Sequence, residues 1–238
     1  MNILPKTQYS ISLKLVKFSS CCLPRKILRL TSMPKTYFHT NSIILSQSDV
    51  QPLSSISGLT FLNLKRHIPS LLNRISFDEL NFETTDNGKT IVYTDGSCLN
   101  NNKTDMGLRK SGIGVYWGRD NHPLNVSIPH GGSKLTSSRA EIAASHAAIL
   151  LAKAFKIEKL CLHTDSDTLV KSCNHWLPMW QHNDWKSRST NRPILNQDMW
   201  KKLTEDLLHV LVDFHHSSDC IEGIKKAHKL AQEGANAS

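Results

Sequence analysis

Two β-branched runs in this chain each end on an aspartate, and the Ala-rich stretch between them opens on a glutamate. The runs are IVYTDGSC (91–98), carrying Asp95, and CLHTDSDTLV (161–170), carrying Asp165; the glutamate is Glu141 in SSRAEIAA (137–144). Runs of that composition read as strands, and the Ser-capped, Ala-rich stretch reads as a helix. A fold that brings two strand ends and one helix start to a single point gathers three like charges. They repel one another unless divalent cations neutralise them. Hard oxygen ligands suit Mg²⁺ or Mn²⁺, and paired ions of that kind cleave phosphodiesters. Singly, a strand-end Asp, a helix-start Glu and a turn Asp are ordinary surface residues, so the weight rests on the three occurring together.

The rest of the pattern fits such a convergence. TIVYTDGS (90–97), GIGVYWG (112–118) and LNVSIP (124–129) read as three strands, followed by a helix over 137–155 and a fourth strand, KLCLHTD (159–165). The stretch 166–180 is a helix that Pro178 must end or kink. A further helix over 196–211, a fifth strand LVDFHH (211–216) and a last helix over 222–235 complete the chain. An opening meander followed by strand and helix in alternation predicts an α/β fold with a mixed five-stranded sheet flanked by helices.

Charge is informative only once it is located. The net charge is +9, but residues 1–48 hold seven Lys or Arg and no acid, while the remaining 190 hold 22 basic and 20 acidic residues. The excess therefore says nothing about a nucleic-acid surface on the folded part. An acid-poor segment with basic and apolar residues interspersed, as in ISLKLVKFSSCCLPRKILRLTS (11–32), has the composition of a mitochondrial presequence. Lys14, Lys17, Arg25 and Lys26 interrupt the apolar core that a secretory signal needs. The alternative is a basic tail with non-specific affinity for nucleic acid. A second start at Met33 would remove most of the segment and leave a nuclear or cytoplasmic form. Residues 49–88 are expected to be a linker that packs locally, with a helix within 58–80 broken by Pro69. No apolar run reaches the length of a membrane span. Six cysteines without a C-x-x-C pair predict neither a zinc site nor a disulfide framework.

From about Lys89 onward the chain resembles a type 1 ribonuclease H. The resemblance is carried by YTDGSC (93–98), GIGVYWG (112–118), HPLNVSI (122–128), RAEI (139–142), HTDS (163–166), NHW…W…NDWK (174–186) and LAQEGA (230–235), in the family's order. It implies a ribonuclease H-like fold over 89–238, after a presequence (1–48) and a linker (49–88). It implies a monomeric endonuclease that hydrolyses the RNA strand of RNA–DNA hybrids by two-metal-ion catalysis, leaving a 5′-phosphate and a 3′-hydroxyl. Asp95, Glu141 and Asp165 would be its catalytic acids and its ligands for Mg²⁺ or Mn²⁺.

Two departures from the family stand out. The family's fourth carboxylate sits in the last helix, where AHKLAQEGA (227–235) has His228, preceded by Lys225 and Lys226. An imidazole is a poor Mg²⁺ ligand but holds a water or a phosphate by hydrogen bond; the other reading makes His228 a solvated helix residue. Ten positions earlier, where relatives carry a mobile His between glycines, stands Ser218, with His216 close by as a substitute. The resemblance also assigns substrate contacts. Trp176, Trp180 and Lys186 line a DNA-strand channel, with Trp176 and Trp180 sharing one helix face. Lys134, Thr136 and Asn196 form a phosphate pocket in which Lys replaces the family's Arg and loses its bidentate fork. Cys98, Asn100, Asn101 and Ser137 contact the hybrid where RNA 2′-hydroxyls are sensed. Set against the enzyme is a hybrid-binding protein that has kept the groove and lost efficient catalysis, a reading that His228, Ser218, Lys225 and Lys226 favour.

Overall fold

The structure, a computed structural model, describes residues 26–27, 53, 56–77, 80–102 and 105–238. Apart from Lys26–Ile27, the expected presequence lies outside the described residues. The centre of the fold is a ten-residue strand, β3 (Thr90–Leu99). On one side it pairs antiparallel with β4 (Lys110–Tyr116), which pairs antiparallel with β5 (Val126–Pro129). On the other side it pairs parallel with β6 (Lys159–Thr164), which pairs parallel with β7 (Leu211–His216). These are the five expected strands. The sheet has seven, because two-residue strands are added at the start of β3: β2 (Glu83–Thr84) pairs with it through Thr84 and Thr90, and β1 (Lys26–Ile27) pairs with β2. Two residues are too few for a period-2 pattern, so the sequence carries no sign of them.

Parallel neighbours require crossovers, and the helices supply them. Helix α2 (Ser137–Ala154) links β5 to β6 and is buried along most of its length, including Ala140, Ala143, Ala144, Ala147, Ala148 and Ala152. Between β6 and β7 the single expected helix over 166–180 is divided. It becomes α3 (Asp167–Lys171), a π-helical turn (Ser172–Trp176) and α4 (Leu177–His182), so the kink attributed to Pro178 falls just before that residue. Helix α5 (Gln197–Leu207) completes the crossover. On the other face of the sheet, α6 (Glu222–Asn236) lies against β4, β3 and β5. It comes close because β4 carries Gly112 and Gly114 beneath it: a Cβ at Gly114 would sit 2.0 Å from the Ala227 carbonyl oxygen.

Residues 49–88, expected as a linker, are built into the core where they are described. Leu53, Leu59, Leu64, Leu71, Ile75 and Leu80 are buried in the same cluster as Val92, Ile142 and Leu162. Leu64 and Leu71 belong to α1 (Phe61–Leu72), which packs on α2, and the other four flank it. The expectation that Pro69 breaks this helix is corrected: α1 runs through it. Pro69 and Lys65 are both exposed, so the Lys65 carbonyl that loses its helical donor does so where water can replace it. The helix is started by Asn63, whose Oδ1 accepts the Thr60 N–H at 2.8 Å.

Candidate active site

The register of β3 and β6 places the two aspartates. Tyr93 pairs with His163, so Asp95 and Asp165, each two residues further on, stand level on neighbouring parallel strands. Glu141 arrives from α2, whose first turn is fixed by Thr136: its Oγ1 accepts the Arg139 N–H at 3.3 Å. The approach of that turn depends on Gly96. A Cβ there would lie 2.2 Å from both Ala140 C and Glu141 N. As a result one ligand oxygen from each of Asp95, Glu141 and Asp165 lies within 4.8 Å of the others, the convergence expected from the sequence.

The cost of this cluster is visible in its proton affinities. Burial, then the charges of Asp95 and Asp165, hold the Glu141 carboxyl well above the usual carboxylate range. Burial, then Asp95, also raise Asp165. Oε2 of Glu141 is buried without a hydrogen-bond partner. A buried acceptor with no donor, beside two more carboxylates, is what a divalent cation would satisfy, so the residues fit the metal that the sequence reading implied.

His228 stands beside the acids. From α6, its Nδ1–H donates to Asp95 Oδ2 at 2.6 Å, and its Nε2 lies 2.9 Å from the Gln232 Nε2 amide, which donates to it. His228 is thus hydrogen-bonded both to one of the acids and to its own helix. His216 Nε2 donates to the Asp165 carbonyl at 3.1 Å, so it too stands at the edge of the cluster, whereas Ser218 bonds Asp219.

A comparison with known proteins meets this geometry. The RNase H family model matches residues 87–236, which contain all of the residues just described. The chain belongs to the RNase H family. Among curated relatives, mouse Ribonuclease H1 is 39% identical over 150 residues, covering 62% of this chain and 50% of its own. Ribonuclease H of Schizosaccharomyces pombe is 34% identical over 152 residues, covering 62% of this chain and 53% of its own. The chain thus spans about half the length of the curated relatives it matches. Among solved structures, LC9-RNase H1, a type 1 RNase H with the type 2 active-site motif, shares the fold with a TM-score of 0.51 at 21% identity, over 62% of this chain and 72% of that one.

Within this RNase H domain the other expected contacts fall into three groups. Trp176, the last residue of the π turn, and Trp180 of α4 keep their rings 5.8 Å apart, and Trp180 stands 5.7 Å from the buried Trp200. The indoles thus form a row running from core to surface. Lys186 is exposed beyond Trp185, over whose ring the Lys201 ammonium lies. Thr136 and Asn196 are both bonded to Arg139, while Lys134 is exposed on the loop before α2. Cys98 is half-buried on β3, Ser137 opens α2, and Asn100 and Asn101 follow β3 in a turn. The Asn100 amide donates one hydrogen bond to the Leu108 carbonyl, at 3.0 Å.

Three residues with a part in the site had no role in the sequence reading. Arg139 forks onto Asp198 at 2.8 and 3.0 Å and reaches Asn196 Oδ1 at 3.3 Å, tying the start of α2 to that of α5. Its place two residues before Glu141 was a usable signal. Gln232 was findable from its spacing, four residues after His228 on one helix. Gly96 gave no signal, because a close approach between elements is not written in local sequence.

The raised acids predict how metal and pH act on stability. Without metal, folding lifts the Glu141 and Asp165 carboxyls above their unfolded values, so their contribution favours the folded state at low pH and is lost as pH rises through the folded values. A bound cation reverses that loss. Mg²⁺ or Mn²⁺ at about 100 times its dissociation constant should stabilise the protein by about 2.7 kcal/mol at neutral pH. The gain should shrink steadily on acidification. Thermal melts with metal and with chelator across the pH range check this, and a metal shift independent of pH would count against the acids as ligands.

Proposed function

We propose that this chain is an endonuclease that hydrolyses the RNA strand of RNA–DNA hybrids, with Asp95, Glu141 and Asp165 holding Mg²⁺ or Mn²⁺. The observation that carries the reading is the convergence of these three acids around an unpaired Glu141 oxygen, in a domain whose relatives are named ribonuclease H. When bound, the cations supply activation of the attacking water and stabilisation of charge on the leaving 3′-oxygen. The chain itself supplies the rest. Asp95 and Asp165 are fixed by strand register, and Glu141 by the approach of α2 over Gly96. Trp176 and Trp180, with the buried Trp200 behind them, offer a stacking face for the DNA strand. Thr136, Asn196 and Lys134 offer hydroxyl, amide and ammonium groups to a phosphate.

His228 is the proposed replacement for a fourth carboxylate. With Nε2 facing Gln232, its Nδ1 proton points at Asp95. That proton neutralises part of the charge a second cation would meet. A hybrid-binding protein with little catalysis is the second reading, and this contact is the observation that favours it. The two are separated by incubating the purified chain with a labelled hybrid, with and without Mg²⁺ or Mn²⁺. Metal-dependent cuts confined to the RNA strand support the enzyme; tight binding without cleavage in either metal supports the binding protein.

His228→Asp should return a hard oxygen ligand to this position. The cation concentration giving half-maximal cleavage is then expected to fall by roughly tenfold. Superimposable metal titrations of the two proteins would show that His228 does not limit cation binding.

A further inference from the structure

We propose that α1, which lies outside the matched family region, is an added nucleic-acid contact that lengthens the surface gripping the hybrid, with Lys65 and Arg66 meeting duplex phosphates; this rests on the hybrid being the substrate.

The placement of α1 is fixed by its inner side. Leu64 and Leu71 are buried, and the Phe61 ring packs on His130 at 5.8 Å and on His146 at 5.7 Å. Its first turn abuts the loop after β5. A Cβ at Gly131 would meet Thr60 at 3.2 Å, and one at Gly132 would meet Leu62 Cδ1 at 3.1 Å. That loop runs within two to four residues into Lys134 and Thr136, the proposed phosphate pocket, so α1 begins where that pocket ends.

The outer side of α1 carries the chemistry. Leu62, Lys65, Arg66 and Pro69 stand at positions i, i+3, i+4 and i+7, one face of the helix, and all four are exposed. Residues 56–77 contain Lys65, Arg66 and Arg74 and no acid. Among the described residues neither Lys65 nor Arg66 has an ion-pair partner, whereas Arg139 nearby is taken up by Asp198. Two flexible cations on a convex face enclose nothing, so they make no site for a small anion. They suit an extended polyanion passing over the helix, and a duplex seated in the adjoining pocket is one.

The test uses the full chain, Lys65→Ala/Arg66→Ala, and fluorescence anisotropy of an RNA–DNA hybrid in chelator, where nothing is cut. Removing one cation from a phosphate lowers the slope of log affinity against log salt by about 0.9, so the double substitution should lower it by about 1.8. From about 50 to about 200 mM salt the variant should then lose roughly tenfold less affinity than the wild type. Lys65→Arg/Arg66→Lys should keep the wild-type slope, because a phosphate accepts either cation. A hybrid too short to extend past the pocket should bind both proteins alike. Equal slopes for wild type and the alanine variant on the long hybrid, with unchanged melting temperatures, would overturn the proposal. No hybrid binding by the wild type would instead overturn the functional reading beneath it, so the two failures are distinct.

Discussion

Asp95→Asn is expected to lower hybrid cleavage by roughly 10²- to 10³-fold or more, the scale seen when one preorganised charge-stabilising group is removed, with little change in hybrid affinity. Asp95 is 3% exposed, stands within reach of Glu141 and Asp165, and accepts the His228 proton. Asparagine keeps the volume and the strand pairing with Gly114 while removing the charge. The same substitution relieves repulsion on its two neighbours, since Asp95 is a cause of the raised proton affinity of each. In chelator the variant should therefore melt no lower than the wild type, and the stabilisation by Mg²⁺ should largely vanish. Loss of cleavage with intact folding and binding identifies a ligand. Cleavage at the wild-type rate would place the chemistry elsewhere in the chain.

How much of this was legible in the sequence depends on the range of the interaction. The strand runs ending in Asp95 and Asp165 and the helix opening near Glu141 are local patterns, and all three appear where the periodicity put them. Their convergence needed a fold, and the motif resemblance supplied it. Pro69 was misjudged because a proline's cost depends on whether the carbonyl it strands is solvated, which requires knowing the exposed face of α1. The π turn before Pro178 was expressed only as a kink, since local sequence does not say how a helix absorbs an extra residue. Residues 49–88 were read as a locally packing linker, with a helix broken by Pro69. Their burial on α2 is a tertiary fact. His228 was picked out as a departure from family pattern, but its bond to Asp95 joins residues 133 apart in sequence.

Gly96→Ala is expected to destabilise the protein by about 3 kcal/mol or more, the upper range for overpacking a close-packed interior, and to weaken cation binding in the molecules that remain folded. The added Cβ would lie 2.2 Å from Ala140 C, 2.2 Å from Glu141 N and 2.7 Å from Ala140 O. These are backbone atoms of a helix, so no side chain can swing aside; α2 itself must move. Because Ile142, Ala143, Ala144 and Ala147 are fully or almost fully buried on that helix, the movement opens the core. Because Glu141 rides on the same turn, it also draws one ligand away from Asp95 and Asp165. Gly88→Ala is the comparison. Its φ of +75° makes alanine strained there by about 1–2 kcal/mol, but nothing lies within 4 Å of the added Cβ. Urea midpoints should rank wild type above Gly88→Ala and Gly88→Ala above Gly96→Ala, and only Gly96→Ala should need more Mg²⁺ to reach half of its own thermal shift. If the two alanine variants behave alike in both measurements, the contact of α2 with β3 does not set the geometry of the acids.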